Sequence, residues 1–159
     1  MHKLLLIWVL VLAITGCQQV ETAKWDDAKK EKVLKEVTAM LHNYFSDIKK
    51  EGLTAEFRYL DNSPDFFWVP PGYQTAIYYD SVYKTLQIHD KGLESIAFHW
   101  SSLEVHPLSE EIANYTGIVK GTIVDTAGQV NQVNMIETGT AIKRAEGWKI
   151  LSGQSRNLE

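Results

Sequence analysis

The chain has 159 residues, of which 45% are hydrophobic, 23% charged and 11% aromatic. That composition fits one globular domain and excludes a disordered tail, a collagen or a multi-span membrane protein. The net charge of −4, from 16 basic and 20 acidic side chains, argues against nucleic acid as a partner, which needs a basic face to displace counterions, and the single cysteine excludes an intrachain disulfide or a cysteine-built zinc cage.

The first element is an address rather than a fold. His2 and Lys3 make a short basic start, and Leu4 to Ile14 is an unbroken apolar run. It is too short to span a bilayer and has the length of a signal-peptide core. The stretch Ile14-Thr15-Gly16-Cys17 resembles a bacterial lipobox. That resemblance implies cleavage after residue 16, a diacylglycerol on the Cys17 sulfur with palmitate among the acyl chains, and anchoring to a membrane. The alternatives are an ordinary cleaved signal with Cys17 incidental, or an uncleaved N-terminal anchor. Gln18 after the cysteine, rather than Asp, favours the outer membrane facing the periplasm by Gram-negative sorting rules. Residues 17–24 then read as a polar tether, and residues 25–159 as the domain.

Trp25 to Gly52 is the clearest predicted helix. Val33, Leu34, Val37, Met40, Leu41, Tyr44, Phe45 and Ile48 recur at spacings of three and four and form one stripe. Gly52 is a plausible stop. A shorter helix is expected from Leu53 to about Tyr59. Asp61-Asn62-Ser63-Pro64 is a turn cluster. Asp65 to Val69 reads as a short aromatic strand, which Pro70-Pro71-Gly72 ends. A third helix is expected over Thr75 to about Leu86. Four strands follow, at Ser95–His106, Ile112–Asp125, Val130–Lys143 and Trp148–Ser155, separated by turn signals short enough for an antiparallel meander. In the second of them Ala113, Tyr115, Gly117, Val119, Gly121 and Ile123 share a face, and the alternation of small with large residues suggests a helix lying close against it. The fold class is therefore α+β, with three N-terminal helices packed on a curved antiparallel sheet.

This order resembles the nuclear transport factor 2-like superfamily, which includes the SnoaL-like cyclases and ketosteroid isomerases. The carriers are MLHNYFSDIKKEG closing the first helix, DFFWVPPG, the helix after it and the ending GWKILSGQS. The resemblance implies a cone-shaped, cystatin-like α+β roll with a pocket at its open end. Two departures weaken a catalytic carry-over. Ser152 and Gln154 stand where many members carry a pair of histidines, and a residue near Thr138 replaces an arginine of the penultimate strand.

Chemistry-bearing residues are sparse. Neither a Gly-x-Ser-x-Gly elbow nor a phosphate-cradling glycine loop is present, so the sequence calls for no cofactor. His99, Glu104 and His106 lie near one another in sequence, but residues seven apart on a regular strand face opposite ways, so no metal site is expected. A carboxylate base is the sharpest catalytic idea, with Asp61 or Asp65 moving a proton and Tyr44, Tyr59 or Tyr79 as hydroxyl donor. Asp61 with Tyr44 is the preferred pair, although Asp61 before Asn-Ser-Pro is more simply a turn residue. The direction of Glu137 is undecided. A ligand pocket lined by Tyr59, Trp68, Tyr79, His99, Trp100, Tyr115 and Gln154 is the other possibility, beside plain core packing. The resulting expectation is a membrane-anchored lipoprotein that binds a small, partly apolar molecule as a non-catalytic or accessory module. The alternative is an isomerase, cyclase or dehydratase. A homodimer through the sheet, using Ile112, Ile118, Val124, Ile136 and Ile142, is a third expectation.

Overall fold

Asp26 opens the first helix by accepting a hydrogen bond from the Lys29 backbone N–H at 2.9 Å, which satisfies one of the donors that a helix start leaves free. The computed structural model describes residues 25–159. The signal, Cys17 and tether readings lie outside the described residues. Helix α1 runs Asp27–Glu51. It ends at Gly52, whose φ of 89° lies in the region that favours glycine. The predicted stripe is buried at Val33, Val37, Met40, Leu41, Tyr44, Phe45 and Ile48, whereas Leu34 lies at its edge and stays exposed.

A 3-10 turn, Leu53–Arg58, takes the place of the second helix. Strand β1, Phe67–Val69, is shorter than predicted. Helix α2 spans Tyr79–Asp90, beginning and ending four residues later than expected. The delay has a cause. After Pro70-Pro71-Gly72 the chain doubles back, and Trp68 and Ile77 exchange backbone hydrogen bonds at 2.9 and 2.8 Å. Residues before Tyr79 are therefore committed to an antiparallel bridge before the helix can start.

The last four strands are β2, Leu93–Pro107, β3, Ile112–Asp125, β4, Val130–Arg144, and β5, Gly147–Asn157. They form the expected meander, and the sheet order is β1-β5-β4-β3-β2. β1 joins β5 in parallel. The helices share one face of this α+β sheet, with α1 lying across β2, β3 and β5. The Trp100 indole N–H donates to the Leu41 carbonyl at 3.1 Å, and the Trp148 indole donates to Glu36 at 2.8 Å. These bonds fasten α1 at two ends of the sheet.

Two β-bulges decide which side chains reach the interior. In β2 the register shifts between Trp100 and Ser102. Ile96 and Trp100 face inward before it, and Val105 faces inward after it. In β5 the shift falls between Ile150 and Ser152. Trp148 and Ile150 are buried before it, Gly153 and Ser155 after it. Each bulge inserts one residue, bends the strand and reverses the inward parity. The predicted face of β3 is inward, but the glycines do not admit a helix. A Cβ on Gly117 would meet the Trp100 ring at 2.8 Å, and one on Gly121 would meet Phe98 at 2.4 Å. They make room for the aromatic side chains of β2.

Candidate functional site

The helices and the inner face of the sheet leave a cavity of about 300 Å³ between them. Tyr44 and Phe45 of α1 form one wall, with Phe98 of β2. Trp68, the two prolines, Tyr73 and Ile77 form the opposite wall, and Val82, Thr85, Leu86 and His89 of α2 close a third side. Met135, Glu137 and Ser155 enter from β4 and β5, and Glu56 enters from the 3-10 turn. Local sequence explains the Trp68 wall. Trp68 pairs in register with Gly153, where a Cβ would sit 2.4 Å from the indole Cζ3. Only glycine there lets the ring approach β5.

The lining is mainly apolar; its polar members are Thr85, His89, Ser155 and two carboxyls. Glu137 is 2% exposed. Its Oε1 accepts a hydrogen bond from the Tyr115 hydroxyl at 3.2 Å. Burial, then the neighbouring Glu56 charge, raises the Glu137 carboxyl from 4.5 to about 8, against the opposing hydrogen bond from Tyr115. Burial also raises Glu56 to about 7, opposed by the Tyr44 hydroxyl. Glu56 is half-buried as a residue, with part of its side chain bordering the cavity. Both tyrosines are pushed well above the usual phenol range, by burial first and then by the carboxylates beside them. At neutral pH the site thus holds a protonated Glu137, a Glu56 near its midpoint and two neutral phenols. Such a set can donate, accept or pass a proton.

The structure redistributes the residues singled out from the sequence. Tyr44 and Trp68 line the cavity, and Tyr115 reaches it through Glu137. Asp61 does not. It is 5% exposed but held by Arg144, whose Nε and Nη2 donate to its two oxygens at 2.8 and 2.7 Å. That guanidinium, with Ser63, keeps its carboxyl below the ordinary range. An acid held ionised by a bidentate arginine is a poor base, so Asp61 has a structural role. Asp65 is exposed. Tyr59 donates to Asp47 at 2.6 Å, away from the cavity lining. Tyr79 packs between Phe57 and Phe66, with ring centroids 6.0 and 5.8 Å away. Trp100 is core. His99 is exposed, because its neighbour Trp100 takes the inward position.

Gln154 is exposed as well. A straight β5 would carry Trp148, Ile150, Ser152 and Gln154 on one face, and the bulge turns the last two outward. The β2 bulge likewise places His99, Glu104 and His106 all on the exposed side. His106 and Glu104 lie 3.6 Å apart, but among the described residues no three ligating side chains converge. Sequence reasoning missed Glu56 altogether. For Glu137 a signal existed. A homodimer through Ile136 and Ile142 needs both to face outward, and strict alternation then puts Glu137 inward.

No protein-family model and no curated protein matches the sequence. Solved structures do match by shape. A nuclear transport factor 2-like superfamily protein from Salmonella enterica superposes with a TM-score of 0.67 at 17% identity, over 81% of this chain and 93% of that one. A ketosteroid isomerase-like protein from Erwinia carotovora atroseptica gives 0.63 at 18% identity, over 79% and 96%. A protein of cystatin-like fold from Caulobacter vibrioides gives 0.63 at 14%, over 79% and 89%. At these identities the likeness is one of fold, and the chain has the cone-shaped nuclear transport factor 2-like fold expected from its order of elements.

Proposed function

We propose that the domain binds a small, largely apolar molecule inside the cone, with Glu56 and Glu137 engaging its polar group. The observation that carries this reading is the cavity itself, about 300 Å³ with aromatic walls and two carboxyls. That volume lies at the lower end of small-molecule sites and fits the usual pattern of an apolar lining with a few convergent polar groups. Native mass spectrometry of protein purified from its host without detergent tests the reading. A displaceable small-molecule adduct on the wild type, lost when Thr85→Trp fills the cavity, supports it. Absence of an adduct on either protein, each at its own apo mass, with no thermal shift across a fragment library, refutes it.

A second reading rests on the paired raised carboxyls. Glu56 can take a proton from a carbon next to a substrate carbonyl while protonated Glu137 donates a hydrogen bond to the developing enolate oxygen. The proton returned to another carbon gives an isomerase, and loss of a β-leaving group gives a dehydratase. In this reading Glu56 replaces Asp61 as base. Solvent deuterium incorporation into a bound ketone, abolished in Glu56→Gln, supports it, and no incorporation above background refutes it.

The apolar run 4–14 and the ITGC stretch support a lipid-anchored protein of the bacterial envelope, tethered at Cys17. A diacylated, cleaved N-terminus in the mass spectrum is the expected result, and a free Cys17 thiol is the refuting one. Pairing of two copies through the outer sheet face, where Ile118 lies opposite Ile136, predicts a dimer in sedimentation equilibrium.

A further inference from the structure

Among the described residues the cavity gathers two acids and no lysine or arginine. Its other titratable lining groups are Tyr44, Tyr73 and His89. Glu137 faces Tyr115 of β3, Glu56 faces Tyr44 of α1, and His89 stands on α2. Only one oxygen of Glu137 accepts a hydrogen bond among the described residues. Among the described residues no buried side-chain oxygen lacks a partner, so the second oxygen opens to the cavity. Two carboxyls in an apolar chamber repel one another once ionised and find no counter-charge there.

A neutral guest with one oxygen would engage one protonated carboxyl and leave the other against apolar surface. A guest with a positive charge would satisfy both. Tyr44, Phe45, Trp68 and Phe98 also line the cavity, and an aromatic ring attracts a cation placed over its face. We infer that the ligand of this cavity is a small organic cation, an ammonium group on an apolar body, held between Glu56 and Glu137. This rests on the binding reading above and specifies its ligand class.

Benzylamine and benzyl alcohol share a shape and differ in charge, so they serve as probes. Calorimetry on the full mature domain is run from pH 6 to pH 8. Benzylamine is expected to bind about tenfold more tightly than the alcohol at pH 8, the scale of a charge-assisted hydrogen bond. Its affinity rises with pH as the acids ionise, while that of the alcohol stays level. His89→Gln should keep that rise, which separates the carboxyls from the imidazole. The double variant Glu56→Gln, Glu137→Gln should lose the preference for the amine, while toluene, which has no polar group for either side chain to meet, should bind it as it binds the wild type and so report an intact cavity. Equal affinities, or a preference that survives in the double variant, overturn the cation assignment and leave the pocket standing. Binding of neither probe at millimolar concentration overturns both.

Discussion

Replacing Glu137 by glutamine probes the interior with a nearly isosteric change. The amide carbonyl can still accept from the Tyr115 hydroxyl that now reaches Oε1 at 3.2 Å, and only the ability to ionise is lost. Glu137 titrates at about 8 in the fold against 4.5 for an ordinary glutamate. Between those values the folded chain holds a proton that the unfolded chain has released. Stability therefore falls as pH rises, most of it through pH 5 to 8. For one such group the loss between pH 5 and pH 9 is about 4 kcal/mol. Glu56, raised to about 7, adds a contribution of the same sign that ends about one pH unit sooner. Urea unfolding at pH 5, 7 and 9 reads this directly. The wild type should lose stability steadily across the series. Glu137→Gln should match it within about 1 kcal/mol at pH 5 and exceed it by up to about 4 kcal/mol at pH 9. Wild-type stability that stays level or rises from pH 5 to 9 would refute the buried-acid argument. So would a variant whose slope equals that of the wild type.

The Asp61–Arg144 pair behaves in the opposite sense. Its carboxyl is held below the ordinary range, so its contribution is full above the usual carboxylate range and fades as pH falls through the lowered value. Asp61→Asn should cost about 2–3 kcal/mol at pH 7 and progressively less in acid titration, with no change in probe binding to the cavity. Gly139→Ala should cost about 2 kcal/mol or more, because the new Cβ would lie 2.7 Å from the Tyr115 hydroxyl oxygen and 2.5 Å from the Ser152 carbonyl oxygen. A carboxyl-detected NMR titration should also find Glu137 changed in that variant, since its tyrosine partner must move. Trp148→Phe removes the 2.8 Å bond to Glu36 and should lower stability by about 1–2 kcal/mol in denaturant unfolding, leaving the cavity acids untouched.

Much of the architecture was legible because it depends on patterns that tertiary context rarely overrides. The α1 stripe has the 3.6-residue period of a buried helix face, and the β3 alternation has the period of two. The meander followed from turn signals. What could not be read were the places where parity breaks. A bulge at Ser101 or Leu151 has no residue signature in this chain, yet each one decides the face of every side chain beyond it. That is why Gln154 was placed in the pocket and lies outside it. His99 fails for a simpler reason, since it and Trp100 are adjacent on a strand and cannot both face inward. Glu56 was invisible because a 3-10 turn has no amphipathic period long enough to point a side chain. Asp61 was found as a polar residue at a turn, but its partner Arg144 lies 83 positions away, beyond any local pattern.

The treatment of acids elsewhere in the fold sharpens the case for the cavity. Glu36 is neutralised by Lys143 at 2.7 Å, Asp47 by Arg58 at 3.3 Å and Asp61 by Arg144 at 2.7 Å. These pairs lie at the sheet ends and the helix surface, and each matches a partly buried carboxylate with a cation. Glu137, 2% exposed, is set deepest, where an unpaired charge costs most, Glu56 borders the same cavity, and their protein partners are phenols. Tyrosines can hydrogen-bond a carboxyl in either state, but they cannot neutralise it. A leucine or methionine at either position would fill space and remove the penalty, as apolar replacement of buried ions often does. Folding stability therefore gives no reason for two acids at this depth. A requirement that operates only when the hollow is occupied does give one, because a guest that meets both carboxyls turns the least stable part of the interior into its point of attachment.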